Sequence, residues 1–280
     1  MVLASTSGCS WRVGNVPAAM DRKRKFICDT FKVKKRRAEP VANFQGEDNV
    51  ANTTLPAKVQ DTRAALQYLV SIFPRRLFED SMPPVVLKHQ LYSLVQDRTA
   101  VDRQLSDMKE QGEIRMFQHG FDTDVFGVVF TEDYTTRVRA ATEGKAGATA
   151  VHKFLEKVLT TCSDISVGKE KMLLQHSFQD REISQLVHAG VLTVRDAGSW
   201  WLAIPGAGRF VKYFMNGRKT LLGTIRKTKY KEVLLQDLHC RKVPPNVKLG
   251  LQYHIYDIIG ADLVDCIPTT SGTLLRLADT

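Results

Sequence analysis

The chain has 280 residues, of which 43% are hydrophobic and 25% charged, a composition typical of globular proteins and a length that suits two or three small domains. All of the excess positive charge behind its net charge of +10 lies in residues 1–61 and 209–248, while the rest of the chain is slightly acidic, which predicts an anionic partner for these two segments. No apolar run reaches the roughly 18 residues of a membrane span, and the N-terminus lacks the pattern of a signal peptide, so we expect neither.

The N-terminal residues 1–60 are predicted to form a disordered basic tail, with few bulky side chains after residue 38. Two clusters of cations in this tail have the spacing of a bipartite nuclear localisation signal, and a solvated basic arm is the alternative interpretation. The clusters are Arg22, Lys23, Arg24 and Lys25, followed by Lys34, Lys35, Arg36 and Arg37.

A first domain is predicted over residues 61–141. Its helices are expected to begin after the cap Asp61 and end at Pro74, to cover residues 85–94 after Pro83 and Pro84, and to cover residues 99–111 after the cap Thr99. A glycine then stops the third helix, and residues 113–119 and 125–131 have the pattern of a β-hairpin.

A second domain is predicted over residues 147–205, after a glycine-rich linker. Its helices are expected over residues 149–161, 168–177 and 180–189, the last capped by Asp180, and its hairpin over residues 191–194 and 200–204. Neighbouring strand residues face opposite ways, so one of Trp200 and Trp201 is expected to be exposed or covered by the next domain.

A third domain is predicted over residues 206–280. Asn216 and Gly217 are expected to separate a short helix from a longer one, and the apolar residues 249–259 are expected to form a helix buried in a core or a subunit interface. Residues 261–267 and 273–277 have the pattern of a third hairpin. Helix, glycine and hairpin thus recur with Gly112, Gly190 and Gly260 at domain-sized spacing, which predicts an α+β fold of three tandem winged helices.

Residues 209–248 carry 11 basic and two acidic side chains, and the helices predicted there combine an apolar face with a basic one. This pattern favours contacts with phosphates, which position a protein without reading sequence, while a solvated face is the alternative. The candidate DNA-binding residues are Lys212, Arg218, Lys219, Arg226, Lys227, Lys229, Arg241 and Lys242. The third helices of the first two domains are nearly neutral, which favours packing or protein contact over base reading.

No catalytic constellation is found in the sequence. The glycine-rich loop, HRD-type loop and DFG-type metal site of a protein kinase are all missing, as is a P-loop. His119, Asp122 and Asp124 share a predicted turn, where solvation is a simpler explanation than metal ligation. The five cysteines are scattered without a CxxC pair, so we expect reduced thiols, an intracellular protein, and neither a metal nor a cofactor.

The chain resembles the family of serine/threonine-protein kinase 19, also described as winged helix repair factors, over residues 31–280. The motifs that carry the resemblance are LFED at 77–80, YSLV at 92–95, DRT at 97–99, EQGEIR at 110–115, FTEDY at 130–134, GVLTVRDAGSWWL at 190–202 and TTSGTLLRL at 269–277. The resemblance implies a chromatin-associated nuclear protein that binds double-stranded DNA and self-associates. It also implies a part in transcription-coupled nucleotide excision repair, bridging stalled RNA polymerase II to the transcription and repair factor TFIIH.

The resemblance further implies that Lys212, Arg226, Lys229 and Arg241 contact DNA. We therefore expect a non-enzymatic DNA-binding adaptor that holds DNA through the third domain and the tail, and holds proteins through the first two domains. The alternatives are an interaction scaffold whose basic surface meets an acidic protein, and a protein kinase, which the missing motifs argue against.

Overall fold

The computed structural model describes residues 61–118 and 125–278. Both clusters of the predicted nuclear localisation signal, the predicted disorder of the tail, and the turn with His119, Asp122 and Asp124 lie outside these ranges. Within them, no helix has the length and apolar character that crossing a membrane requires.

The first winged helix combines three helices with a three-stranded antiparallel sheet in the order β1-β3-β2. Its elements are α1 (Thr62–Ile72), β1 (Val86–Leu87), α2 (Lys88–Leu94), α3 (Arg98–Glu110), β2 (Ile114–Gln118) and β3 (Phe126–Phe130). A further helix, α4 (Thr131–Thr142), follows the hairpin directly and was not expected from the sequence.

The start of α1 is as predicted, since the Asp61 side chain accepts a hydrogen bond of 3.0 Å from the backbone of Arg63. The predicted cap of α3 is wrong. Asp97 caps this helix instead of Thr99, because its carboxylate accepts from the backbone of Thr99 at 2.9 Å and of Ala100 at 3.2 Å.

The predicted helix over residues 85–94 is wrong in its first turn. Val86 and Leu87 form a strand that pairs with Val128 and Gly127, and both are fully buried. Leu87 also caps α2, because its backbone N–H donates to Gln90 Oε1 at 2.8 Å, so the helix begins only at Lys88.

The second winged helix repeats the arrangement, with the sheet order β4-β6-β5. Its elements are α5 (Ala148–Thr161), β4 (Ser166–Gly168), a π-helical turn (Lys171–Gln175), α6 (Asp180–His188), β5 (Leu192–Asp196) and β6 (Ser199–Leu202). The prediction that Asp180 caps α6 is wrong. The cap is Gln179, whose backbone donates to the Glu182 carboxylate at 2.8 Å.

Neither tryptophan of β6 is fully exposed. Trp200 packs against the core, whereas the ring of Trp201 on the other face lies 4.3 Å from the Arg195 guanidinium. The wing therefore covers one tryptophan with its own arginine.

The third winged helix has the sheet order β7-β9-β8. Its elements are α7 (Ala207–Arg226), β7 (Glu232–Leu234), α8 (Leu235–Cys240), α9 (Leu251–Gly260), β8 (Val264–Thr269) and β9 (Gly272–Leu277). The predicted break at Asn216 and Gly217 is wrong, because α7 is one helix of 20 residues. A Cβ at Gly217 would lie 2.1 Å from Nε2 of His254, so this glycine permits the close approach of α7 and α9.

His254 is completely buried, and neither of its ring nitrogens hydrogen-bonds to the described residues. Burial lowers the pKa of His254 from 6.5 to about 4. His254 takes up a proton near pH 6.5 in the unfolded chain but only near pH 4 in the folded chain. Its neutral ring therefore costs no stability above pH 6.5, and stability is lost as the pH falls from 6.5 to 4. We expect the unfolding free energy to fall by roughly 3 kcal/mol from pH 6.5 to pH 4.

Urea denaturation across this pH range measures the loss. His254→Leu removes the titrating ring, so its stability should vary less with pH than that of the wild type. An equal slope in both proteins would contradict the assignment.

The three winged helices share a hydrophobic core with residues from all of them. Arg115 of β2 is buried and donates hydrogen bonds to the carbonyls of Leu159 and Cys162 at the C-terminal end of α5, where a cation is favoured. The Tyr134 hydroxyl donates to the Ala203 carbonyl at 2.9 Å. Each range predicted for a domain encloses one sheet, and the boundaries at 61–141, 147–205 and 206–280 stay predictions.

Candidate nucleic-acid interface

Helix α7 has one apolar face and one basic face. Phe210, Phe214, Leu221 and Ile225 are buried on the first face. On the opposite face, Lys212, Lys219 and Arg226 are exposed and recur every seven residues, which is two turns of helix. The segment from residue 206 to residue 231 contains no aspartate or glutamate. The exposed face of α7 is therefore a continuous stripe of positive charge about 20 Å long.

Four other predicted residues lie near the C-terminal end of α7. Lys227 and Lys229 are exposed immediately after α7. Arg241 and Lys242, exposed at the end of α8, line a small cleft with Thr224 of α7. Of the eight predicted residues, seven thus lie exposed along or beside α7, and we call these seven the basic stripe: Lys212, Lys219, Arg226, Lys227, Lys229, Arg241 and Lys242.

The eighth residue, Arg218, lies apart from the basic stripe. Its Nε donates to Asp257 Oδ2 at 2.8 Å, and its Nη2 contacts Asp257 Oδ1 and His89 Nε2. Only 18% of the Arg218 side chain is exposed, and its guanidinium lies over the Phe214 ring at 4.5 Å. Arg218 thus joins the third winged helix to the first. Because its guanidinium is already bonded there, we leave Arg218 out of the candidate interface.

Asp257 is fully buried beside Arg218 and His89. Burial alone would raise the pKa of Asp257, but hydrogen bonds and charge from Arg218 and His89 outweigh burial and hold that pKa below its ordinary value. The carboxylate is therefore charged in the folded protein. We call Arg218, Asp257 and His89 the interdomain triad.

The interdomain triad was not predicted from the sequence, although one signal for it was present. Asp257 is the single charged residue in the apolar run of α9, and a buried carboxylate requires a cationic partner. Sequence alone does not reveal which side chains approach it, because His89 and Arg218 lie far away along the chain.

Helix α9 occupies the position of a recognition helix in the third winged helix, but it is buried, as predicted. It packs against α2 of the first winged helix and against α7. The Tyr253 hydroxyl donates to the Val85 carbonyl at 2.8 Å, and Gln90 Nε2 donates to the Tyr253 carbonyl at 2.9 Å. A helix enclosed in this way cannot enter a DNA groove.

The corresponding helices of the other two winged helices are more exposed but carry little net charge. Their carboxylates pair with cations of the same domain. Lys88 lies 2.9 Å from Asp102 of α3, while Lys153 lies 2.8 Å from Glu182 of α6. These helices therefore lack the excess of positive charge that distinguishes α7.

The described residues contain no group of histidine, cysteine or acidic side chains that could hold a metal ion. The small cleft beside α8 is lined by apolar side chains, Thr224 and two cations, and no acid–base pair is found in it. The geometry therefore singles out the basic stripe as the candidate functional site.

Comparisons with known proteins agree with this description. The chain matches the model of a family described as inactive serine-threonine protein kinase 19 over residues 57–277. The Xenopus laevis protein named Winged helix repair factor 1 is 54% identical over 261 residues, which cover 93% of this chain and 100% of that protein.

The Homo sapiens protein of the same name is 53% identical, over 92% of this chain and 99% of that protein. A Dictyostelium discoideum protein of that name is 26% identical, over 69% of this chain and 59% of that protein. The family's description as inactive agrees with the missing kinase motifs, and its relatives' name agrees with the three winged helices. The chain therefore belongs to the family of inactive serine-threonine protein kinase 19 and is not an enzyme.

Proposed function

We propose that this protein is a DNA-binding adaptor of DNA repair, which holds double-stranded DNA through the phosphates along the basic stripe. The observation that carries the proposal is α7, whose exposed face has cations at every second turn and no acidic side chain. Contacts of this kind position a protein on DNA without reading base sequence. Binding should therefore be largely independent of sequence.

The experiment is fluorescence anisotropy of a random-sequence duplex with the full chain and with Lys219→Glu/Arg226→Glu. Each phosphate contact contributes about 0.9 to the slope of log affinity against log salt. Losing two contacts should weaken binding about 50-fold at 100 mM salt and lower the slope by about 2. Circular dichroism verifies that the variant remains folded, as expected for exposed side chains.

A matched control is Arg139→Glu/Lys157→Glu, which makes the same change of charge at exposed positions on α4 and α5. This control should bind the duplex within about threefold of the wild type, because these cations lie outside the basic stripe. Equal losses in both variants would mean that only net charge matters. Retained affinity in Lys219→Glu/Arg226→Glu would place DNA elsewhere.

The relatives' name, Winged helix repair factor 1, supports the role in repair and, with it, a nuclear location. An association with chromatin is a further part of the proposal. We further propose the finer role implied by the resemblance, in transcription-coupled nucleotide excision repair between stalled RNA polymerase II and TFIIH. The nearly neutral helices α3 and α6 would contact proteins there. Self-association and import through the two basic clusters of the tail are parts of the same proposal.

A further inference from the structure

A single aromatic side chain projects into solvent at the end of the basic stripe. Tyr230 is 69% exposed, whereas every other tyrosine, tryptophan and phenylalanine among the described residues is at least half-buried. Its ring contacts the ammonium of Lys229, which lies 5.0 Å from the ring centre.

Tyr230 sits on a well-defined turn between α7 and β7. The backbone of Lys231 donates to the Thr228 carbonyl at 3.2 Å, and Thr228 donates to the Ile225 carbonyl through both its backbone and its hydroxyl. The Lys231 carbonyl accepts from Leu277 of β9 at 3.0 Å. The turn is thus tied to the helix on one side and to the sheet on the other, and it holds the ring outward.

The surroundings of the ring are cationic. Lys227, Lys229 and Lys231 are all exposed within three residues of Tyr230. The nearest carboxylate along the chain, Glu232, is paired with Arg276 at 2.6 Å. An aromatic face among cations is the combination with which proteins bind single-stranded nucleic acid, because the cations hold phosphates while a base stacks on the ring.

We propose that Tyr230 stacks on an unpaired nucleobase, so that the protein prefers duplex DNA that contains an unpaired segment over continuous duplex. In a continuous duplex each base is covered by its neighbours, and only the phosphates are accessible. Where bases are unpaired, the lysines around Tyr230 hold the backbone and the ring receives a base face. The inference rests on the proposed function, since the basic stripe holds the adjoining duplex.

The test compares two fluorescent DNAs of equal length and charge by anisotropy, one a continuous duplex and the other the same duplex with a central mismatched bubble. The full chain should bind the bubble DNA about tenfold more tightly. Tyr230→Ala should abolish this preference and leave the affinity for continuous duplex unchanged, whereas Tyr230→Trp should retain the preference. Leu174→Ala removes an apolar side chain that is 81% exposed in the second winged helix, and serves as the control.

Salt separates stacking from charge. Raising the salt should weaken binding of both DNAs but change their ratio by no more than about threefold, because stacking releases no counterions. A 2-aminopurine in the bubble should lose fluorescence on binding the wild type and not Tyr230→Ala. Equal affinity for both DNAs, or a preference that survives in Tyr230→Ala, would overturn this inference alone, whereas no binding of continuous duplex would overturn the proposed function.

Discussion

Raising the salt concentration from 50 to 200 mM is expected to weaken duplex binding by roughly 10³- to 10⁴-fold. The expectation follows if about six of the seven cations of the basic stripe contact phosphates, because each contact releases counterions that added salt drives back onto the DNA. The measurement is a series of anisotropy titrations with a random-sequence duplex, plotted as log affinity against log salt. The slope gives the number of contacts directly.

Two controls make this result specific. A second duplex of unrelated sequence should give the same affinity and slope, since phosphates are identical in both. An acidic polypeptide in place of DNA tests whether the basic stripe prefers a protein partner. A slope near zero with duplex would contradict phosphate binding, and tight binding of the acidic polypeptide with weak binding of DNA would favour the interaction scaffold.

Asp257→Ala is expected to lower the unfolding free energy by roughly 3–5 kcal/mol. The change removes the buried carboxylate, so the Arg218 side chain, which is only 18% exposed, loses its partner. The guanidinium charge is then buried without a compensating negative charge. It also separates α9 from His89 of the first winged helix. Urea denaturation at neutral pH measures the loss.

Asp262→Ala is the matched control for this prediction. Asp262 pairs with Arg98 of α3 at 2.7 Å, so it also joins the third winged helix to the first, but both side chains are more than half exposed. Exposed pairs are worth about 0–1 kcal/mol, and the control should lose no more than that. Equal losses in the two variants would contradict the special role of the buried carboxylate.

Local signals in the sequence were sufficient for most of the fold. The cap at Asp61, the glycines that end α3 and α6, and the alternation of the three hairpins are short-range features, and each of these features lies close to where it was predicted. The burial of α9 followed from its apolar composition. The basic stripe was also visible, because its cations lie within a short segment of chain.

The caps of α3 and α6 were misplaced by one or two residues, whereas the larger errors arose where distant residues decide the outcome. Gly217 was taken for a helix breaker, but it is a contact point for His254 from α9. Val86 and Leu87 were predicted to lie in a helix, but they form a strand that pairs with β3. Arg218 was grouped with the phosphate-binding cations by its neighbours in sequence, although a carboxylate on another helix holds it. In all three cases the deciding partner lies at least 37 residues away along the chain.

The contact between α9 and α2 limits how this protein can be divided for experiments. A Cβ at Gly260 would lie 1.8 Å from the His89 carbonyl oxygen, so the two helices meet with no side chain between their backbones. A fragment of residues 206–280 would expose Tyr253 and Tyr256 to water, and a fragment without those residues would uncover the opposite surface on α2. Loss of DNA binding by either fragment could therefore result from misfolding of that fragment. Point variants of the whole chain are the proper way to assign roles to each winged helix.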